Sequence, residues 1–150
     1  MNDAARAWNQ LPDSLTWQEK AAYLSWRVSQ LPQAPMPVTH LFEGGQYIRE
    51  MLIPAQTVFL GRVHRVGHQL QLLEGEVILC LPTGPVHKRA PECMQTCAGF
   101  QAIAFTLTDV RVRSLHPDTG ERDIPTLEAS LADSADAQIA WGASIQQRLT

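Results

Sequence analysis

His64 and His68 stand four residues apart in Gly61-Arg62-Val63-His64-Arg65-Val66-Gly67-His68, around a turn that leads into a hydrophobic run ending at Gly75. Imidazole is a common ligand for divalent transition metals, and two imidazoles set across a strand turn can reach one mouth of a closed β-fold. His40 and His116 sit at strand or loop boundaries from which such a fold can bring them to the same mouth. One reading is therefore a centre of three histidines drawn from His40, His64, His68 and His116. The other is that each ring hydrogen-bonds a loop or caps a turn. Glu50, four residues before Pro54, is the carboxylate best suited to join them, as a ligand or as a base with a pKa raised by burial. Adjacent strand residues face opposite sides, so Tyr47 and Arg49 share one face and Glu50 takes the other. The three cannot serve one site without a bulge.

Other chemistry is excluded or poorly marked. The chain contains no Ser-His-Asp order, Walker loop or dinucleotide fingerprint, and Glu43-Gly44-Gly45-Gln46 has the wrong context for a phosphate loop. Arg62, Arg111 and Arg113 read either as a cationic patch for a phosphate or carboxylate or as an ordinary solvated sheet face. A formal charge of −3 gives no basic footprint for duplex nucleic acid. Cys80, Cys93 and Cys97 are an odd number and read as free thiols in a reducing compartment; Cys93 and Cys97 lack a second pair at zinc-finger spacing. With no apolar segment at the N-terminus and no window of about 18 apolar residues, the expectation is a cytoplasmic protein without a membrane span.

The elements that must position these residues fall into three parts. Residues 1–37 form a helical arm, residues 38–123 a β-domain, and residues 124–150 an Ala-rich helical tail. In the arm, Thr16-Trp17-Gln18-Glu19 is a capping box, and Trp17, Ala21, Leu24, Val28 and Leu31 line one helical face until the prolines at 32, 35 and 37. That face packs on its own β-domain or on a partner. Tyr23 and Trp26 lie off the stripe and, with Trp17 and Trp141, are the candidate protein-binding residues of a homo-oligomer, most simply a dimer joined through the N-terminal helix. From residue 47 the pattern predicts eight short strands, at 47–53, 57–63, 69–73, 76–81, 86–90, 93–96, 100–107 and 110–115. Short connections make neighbours antiparallel, so the fold class is mainly β, a jelly roll or small barrel. The tail predicts a helix from Ile124 that Gly142 interrupts, either solvated or packed on the domain or a partner.

Thr39-His40-Leu41-Phe42, Tyr47-Ile48-Arg49-Glu50, the Gly61 stretch with His64 and His68, Glu74-Gly75-Glu76, Ala90-Pro91, Ala98-Gly99 and His116-Pro117 follow one another in an order that resembles a small single-domain cupin, an RmlC-like jelly roll, of the type encoded in bacteriophage genomes. The resemblance implies a metal centre of Zn, Fe, Mn or Ni held by a His-x-His pair, a carboxylate and a later histidine. Only His64 matches that pattern; Val66, Gln71 and Ala102 occupy the other ligand positions. The expectation that follows is a non-catalytic cupin-fold binding or assembly module, possible as a phage accessory, host-interaction or virion-associated protein. The alternative is a metal-dependent cupin enzyme of the dioxygenase, isomerase or epimerase type, acting on a small molecule through a rebuilt histidine site.

Overall fold

A computed structural model describes residues 8–150. After helix α1 (Trp17–Ser29) come strands β1 (Val38–Glu43), β2 (Gln46–Ile53), β3 (Val58–Leu60), β4 (Gln69–Glu74), β5 (Glu76–Leu81), β6 (Gly84–Arg89), β7 (Glu92–Gln95), β8 (Ile103–Thr106) and β9 (Val110–Pro117), then helices α2 (Ile124–Leu131) and α3 (Asp136–Leu149). The strands make two antiparallel sheets, one ordered β1-β2-β9-β4-β7 and the other β3-β8-β5-β6. This is the predicted jelly roll, with one strand more than the eight expected. No helix among the described residues is long and apolar enough to cross a membrane.

Strand periodicity divides each sheet into an inner and an outer face. Met51, Ile53, Leu72, Val77, Leu79, Ala104 and Val110 point between the sheets and form one buried cluster. The outer face of the smaller sheet is also apolar, through Cys80, Ile103 and Phe105, and α1 covers it with Ala21 and Leu24 while Trp8 joins the same cluster. The capping box at Thr16 starts this helix as predicted, with Thr16 Oγ1 accepting from the Glu19 N–H and Glu19 Oε1 from the Thr16 N–H.

The arm's aromatic residues are used inside the chain. Trp17 Nε1 donates to the Cys80 carbonyl at 3.2 Å, and Tyr23, only 8% exposed, packs with Ala22 and Ile145 and donates its hydroxyl to Gln146 Oε1 at 2.7 Å. Trp26 lies half-buried against that cluster. Within the chain, then, Trp17 packs on the smaller sheet and Tyr23 and Trp26 on α3, surfaces that a second protein was expected to supply. Trp141 keeps an exposed ring.

Two predicted strands are shorter than their patterns. β3 ends at Leu60 and β8 begins only at Ile103 because the intervening backbone is committed elsewhere: the Gly61 N–H donates to the Ala102 carbonyl and the His64 N–H to the Phe100 carbonyl. The next groups pair with the tail. Arg65 N–H donates to the Leu131 carbonyl, Asp133 N–H to the Val63 carbonyl, and His64 bridges Ala132. That extended segment breaks the tail into two helices at residues 132–135, whereas Gly142, the predicted interruption, lies inside α3 and is buried. Nor is the tail a solvated attachment, since Leu127 and Ile145 are almost fully buried.

Candidate metal centre

β2, β9 and β4 carry the site. Tyr47 pairs with His116 across β2 and β9, and Arg49 with Ser114, so the inner row of β2 lies beside the inner row of β9. His68 enters immediately before β4, and His64 is held at the crossing of three backbone segments, accepting from Gly99 N–H and donating to Phe100 while it bridges Ala132. The result is a stack of rings: His64 and His68 have centroids 4.1 Å apart, His68 and His116 4.8 Å. One nitrogen from each of His64, His68 and His116 lies within 4.8 Å of the others. Three of the four histidines named from the sequence therefore converge.

His40 does not join them. It is exposed on β1, and its Nδ1 meets the Tyr47 hydroxyl at 2.7 Å. Glu50 is excluded by strand alternation, for it faces the outside of the sheet and pairs with Arg113 at 3.1 Å. The carboxylate at the cavity is instead Glu128 of α2, whose Oε2 lies 3.4 Å from Arg49 Nε. Arg62, Arg111 and Arg113 form no cationic patch: Arg62 donates to the Ala132 and Asp133 carbonyls, while Arg111 and Arg113 pair with Glu74 and Glu50. The three cysteines are free thiols, with Cys80 buried and Cys93 and Cys97 exposed.

Thr96 sets the state of His68. Its hydroxyl has one hydrogen, donated to the His68 carbonyl at 3.0 Å, and both lone pairs then face the His68 backbone N–H at 3.1 Å and ring Nδ1 at 3.0 Å. In the tautomer that matches this donation Nδ1 carries the ring proton, which leaves Nε2 as a bare lone pair. An outer partner that fixes the tautomer in this way is the usual support of a metal-ligating histidine. His64 and His116 each have a buried Nδ1 with no hydrogen-bond partner among the described residues.

Burial, reinforced by the neighbouring imidazoles and the Arg49 guanidinium, pushes both His64 and His116 down to about 4; Arg62 adds to the effect on His64. Burial also lowers His68, against a backbone hydrogen bond with Val66 that acts in the opposite direction. All three are neutral at pH 7, the form that ligates. The set fits a divalent ion. Three nitrogens at about 2.1 Å from an ion lie about 3.0–3.5 Å apart, so from a spacing of up to 4.8 Å the rings would draw together around it. Tyr47 closes the far side as a neutral phenol, its pKa raised to about 12 by burial and by Glu128, with Arg49 opposing.

In metal-free protein these shifts make stability pH-dependent. Unfolded imidazoles ionise near 6.5 and folded His64 and His116 only near 4, so in that window the unfolded chain binds more protons. Stability is full above pH 6.5, declines as pH falls, and levels off below about 4. Calorimetry should find a Tm roughly 10 °C lower at pH 5 than at pH 7, and a flatter profile in a His64→Gln, His116→Gln double variant. A wild-type Tm that does not change across that window would contradict the neutral assignment.

The likeness of this chain is to cupin-type structures. A cupin domain from Bordetella pertussis Tohama I is 13% identical, with 58% of this chain and 97% of that chain covered at a TM-score of 0.45. An RmlC-like cupin family protein with a double-stranded β-helix fold from Methanocaldococcus jannaschii is 10% identical over 57% and 82% of the two chains, with a TM-score of 0.47. Ectoine synthase from P. lautus is 15% identical over 58% and 67%, with a TM-score of 0.48. No protein-family model matches the sequence, and no curated protein matches it either. At such identities the likeness concerns the fold alone, and the jelly roll rests on the strand order given above. The phage-type resemblance has no counterpart among these three.

Proposed function

We propose that the protein is a metal-dependent cupin-type protein acting on a small molecule in its barrel cavity, with His64, His68 and His116 holding a divalent ion. The observation that carries this reading is the convergence of three neutral imidazoles at the end of a cavity of about 260 Å³. The non-catalytic reading drew its support from the replacements at Val66, Gln71 and Ala102. That support fails once His68 and His116 supply donors from other positions. An all-imidazole set suits Zn, Fe or Ni better than Mn, which prefers oxygen.

A bound ion would act there as a Lewis acid toward a ligand oxygen. The chain's own contribution is positional. His116 sits on a paired strand, His64 is held by the hydrogen bonds of the 97–100 turn, Thr96 holds His68 through its backbone and its ring Nδ1, and the apolar walls would keep water from the ligand. The test is a Co²⁺ titration of untagged, chelator-treated protein. Saturable visible absorption at one equivalent per chain is expected. Absorption that does not saturate, or saturates far below one equivalent, would refute the assignment.

A further inference from the structure

The cavity is chemically lopsided. Most of its wall is apolar, from Met51, Leu72, Leu79, Met94, Ala104 and Val112 among others, and its polar groups gather near the histidines. Lys88 and Glu92 also reach the lining, but they pair with each other at 3.0 Å and balance locally. Arg49 is different. It stands two residues from Tyr47 on the inner row of β2, near enough to His64 and His116 for its charge to act on both. Among the described residues its side chain makes no hydrogen bond, the buried Nε included, and its one ion pair is the 3.4 Å contact of that Nε with Glu128. Arg49 and Glu128 retain side-chain exposures of 30% and 27%, which places the pair at the mouth rather than deep inside.

Charge accounting then identifies the ligand. Arg49 and Glu128 cancel, but Arg62 also reaches the lining with only carbonyl partners among the described residues, so the wall already carries a net positive charge to which an ion on three neutral imidazoles would add two more. Uncompensated charge in a poorly solvated site is unfavourable. An anion from outside would relieve it. A carboxylate matches the guanidinium in two parallel hydrogen bonds and still presents an oxygen toward the histidines. The rest of such a ligand must be apolar to suit the walls. At about 260 Å³ the cavity falls just below the roughly 300–1,000 Å³ of drug-sized sites, which suits about ten non-hydrogen atoms.

We propose that this site binds small monocarboxylates with an apolar body, that Arg49 recognises the carboxylate, and that Glu128 occupies Arg49 as a resident competitor until the ligand arrives. The inference deepens the metal-centre reading by naming its ligand class, and it rests on the cavity being a ligand site.

Phenylacetate and its neutral amide, phenylacetamide, provide the test, titrated calorimetrically into the full chain after chelator treatment and again after Co²⁺ loading. Phenylacetate should bind at least tenfold more tightly than the amide. Arg49→Gln should erase that preference while phenylacetamide still binds, which shows that the cavity has survived the substitution. Glu128→Gln should strengthen phenylacetate binding several-fold without helping the amide. Equal affinities in wild type, a preference that persists in Arg49→Gln, or no binding of either compound would overturn the inference. The two proposals separate cleanly. Failure to take up Co²⁺ with an Arg49-dependent preference intact removes the ion and keeps the carboxylate site, whereas normal Co²⁺ uptake without the preference does the reverse.

Discussion

Alanine at His116 is expected to weaken Co²⁺ binding by more than about 100-fold, because losing even an outer-shell partner typically costs 10–100-fold and this substitution removes a donor itself. Competition against a chelator of known affinity measures the change. His116 is 3% exposed, so the loss also leaves a hole in the cavity wall, and a circular dichroism melt should accompany the titration to show that the jelly roll is retained. Thr96→Val is the sharper companion. It keeps all three imidazoles but removes the hydroxyl that holds the proton on His68 Nδ1, and a loss of about 10–100-fold is expected. His40→Ala should change affinity little, since that ring contacts Tyr47 and not the cluster. Equal affinities across wild type, His116→Ala and Thr96→Val would remove the triad from consideration.

Gly142→Ala should destabilise the fold by about 2–3 kcal/mol, and Gly142→Val by more, in chemical denaturation. Helix propensity alone argues the opposite sign, for alanine is better than glycine inside a helix by about 1 kcal/mol. Packing decides it. A Cβ on Gly142 would overlap the backbone carbonyl of Ala22 and press on Trp26 Cβ, so α3 and α1 could no longer approach as closely as they do. The same contact buries Ala22 completely and carries Tyr23 and Ile145 with it. Stabilisation by Gly142→Ala would mean that the two helices are not in this contact in solution.

Much of the fold was legible because strand periodicity and turn residues are local. β5 matches its predicted span, and β2, β4, β6, β7 and β9 lie within two residues of theirs. β1 was missed although its hairpin was visible: Gly44 and Gly45 both adopt positive φ, at 60° and 74°, and two such residues between alternating segments mark a tight β-turn. Within the site, the rule that separates neighbouring strand residues placed Tyr47 and Arg49 together correctly. Applied consistently, it also rules out Glu50, which was retained only for being a carboxylate. Glu128 and Thr96 had no local signature. Glu128 reaches Arg49 across 79 residues and Thr96 reaches His68 across 28, and such partners depend on how the tail docks and how β7 ends. The arm shows the same limit, since periodicity marked one face of α1 for burial and left Tyr23 and Trp26 off it, with nothing local to show that α3 would cover them.

The passage from β3 to β4 meets residues 131–133 through backbone pairing, and α2 adds Glu128 and Leu131 to the wall. During synthesis the last strand is finished at Pro117, before any of that wall has been made. A chain lacking that wall could pair both sheets, but the backbone that carries His64 would be held only by the 97–100 turn. Docking of residues 131–133 therefore does two things at once, closing the mouth and fixing the backbone of one of the three rings.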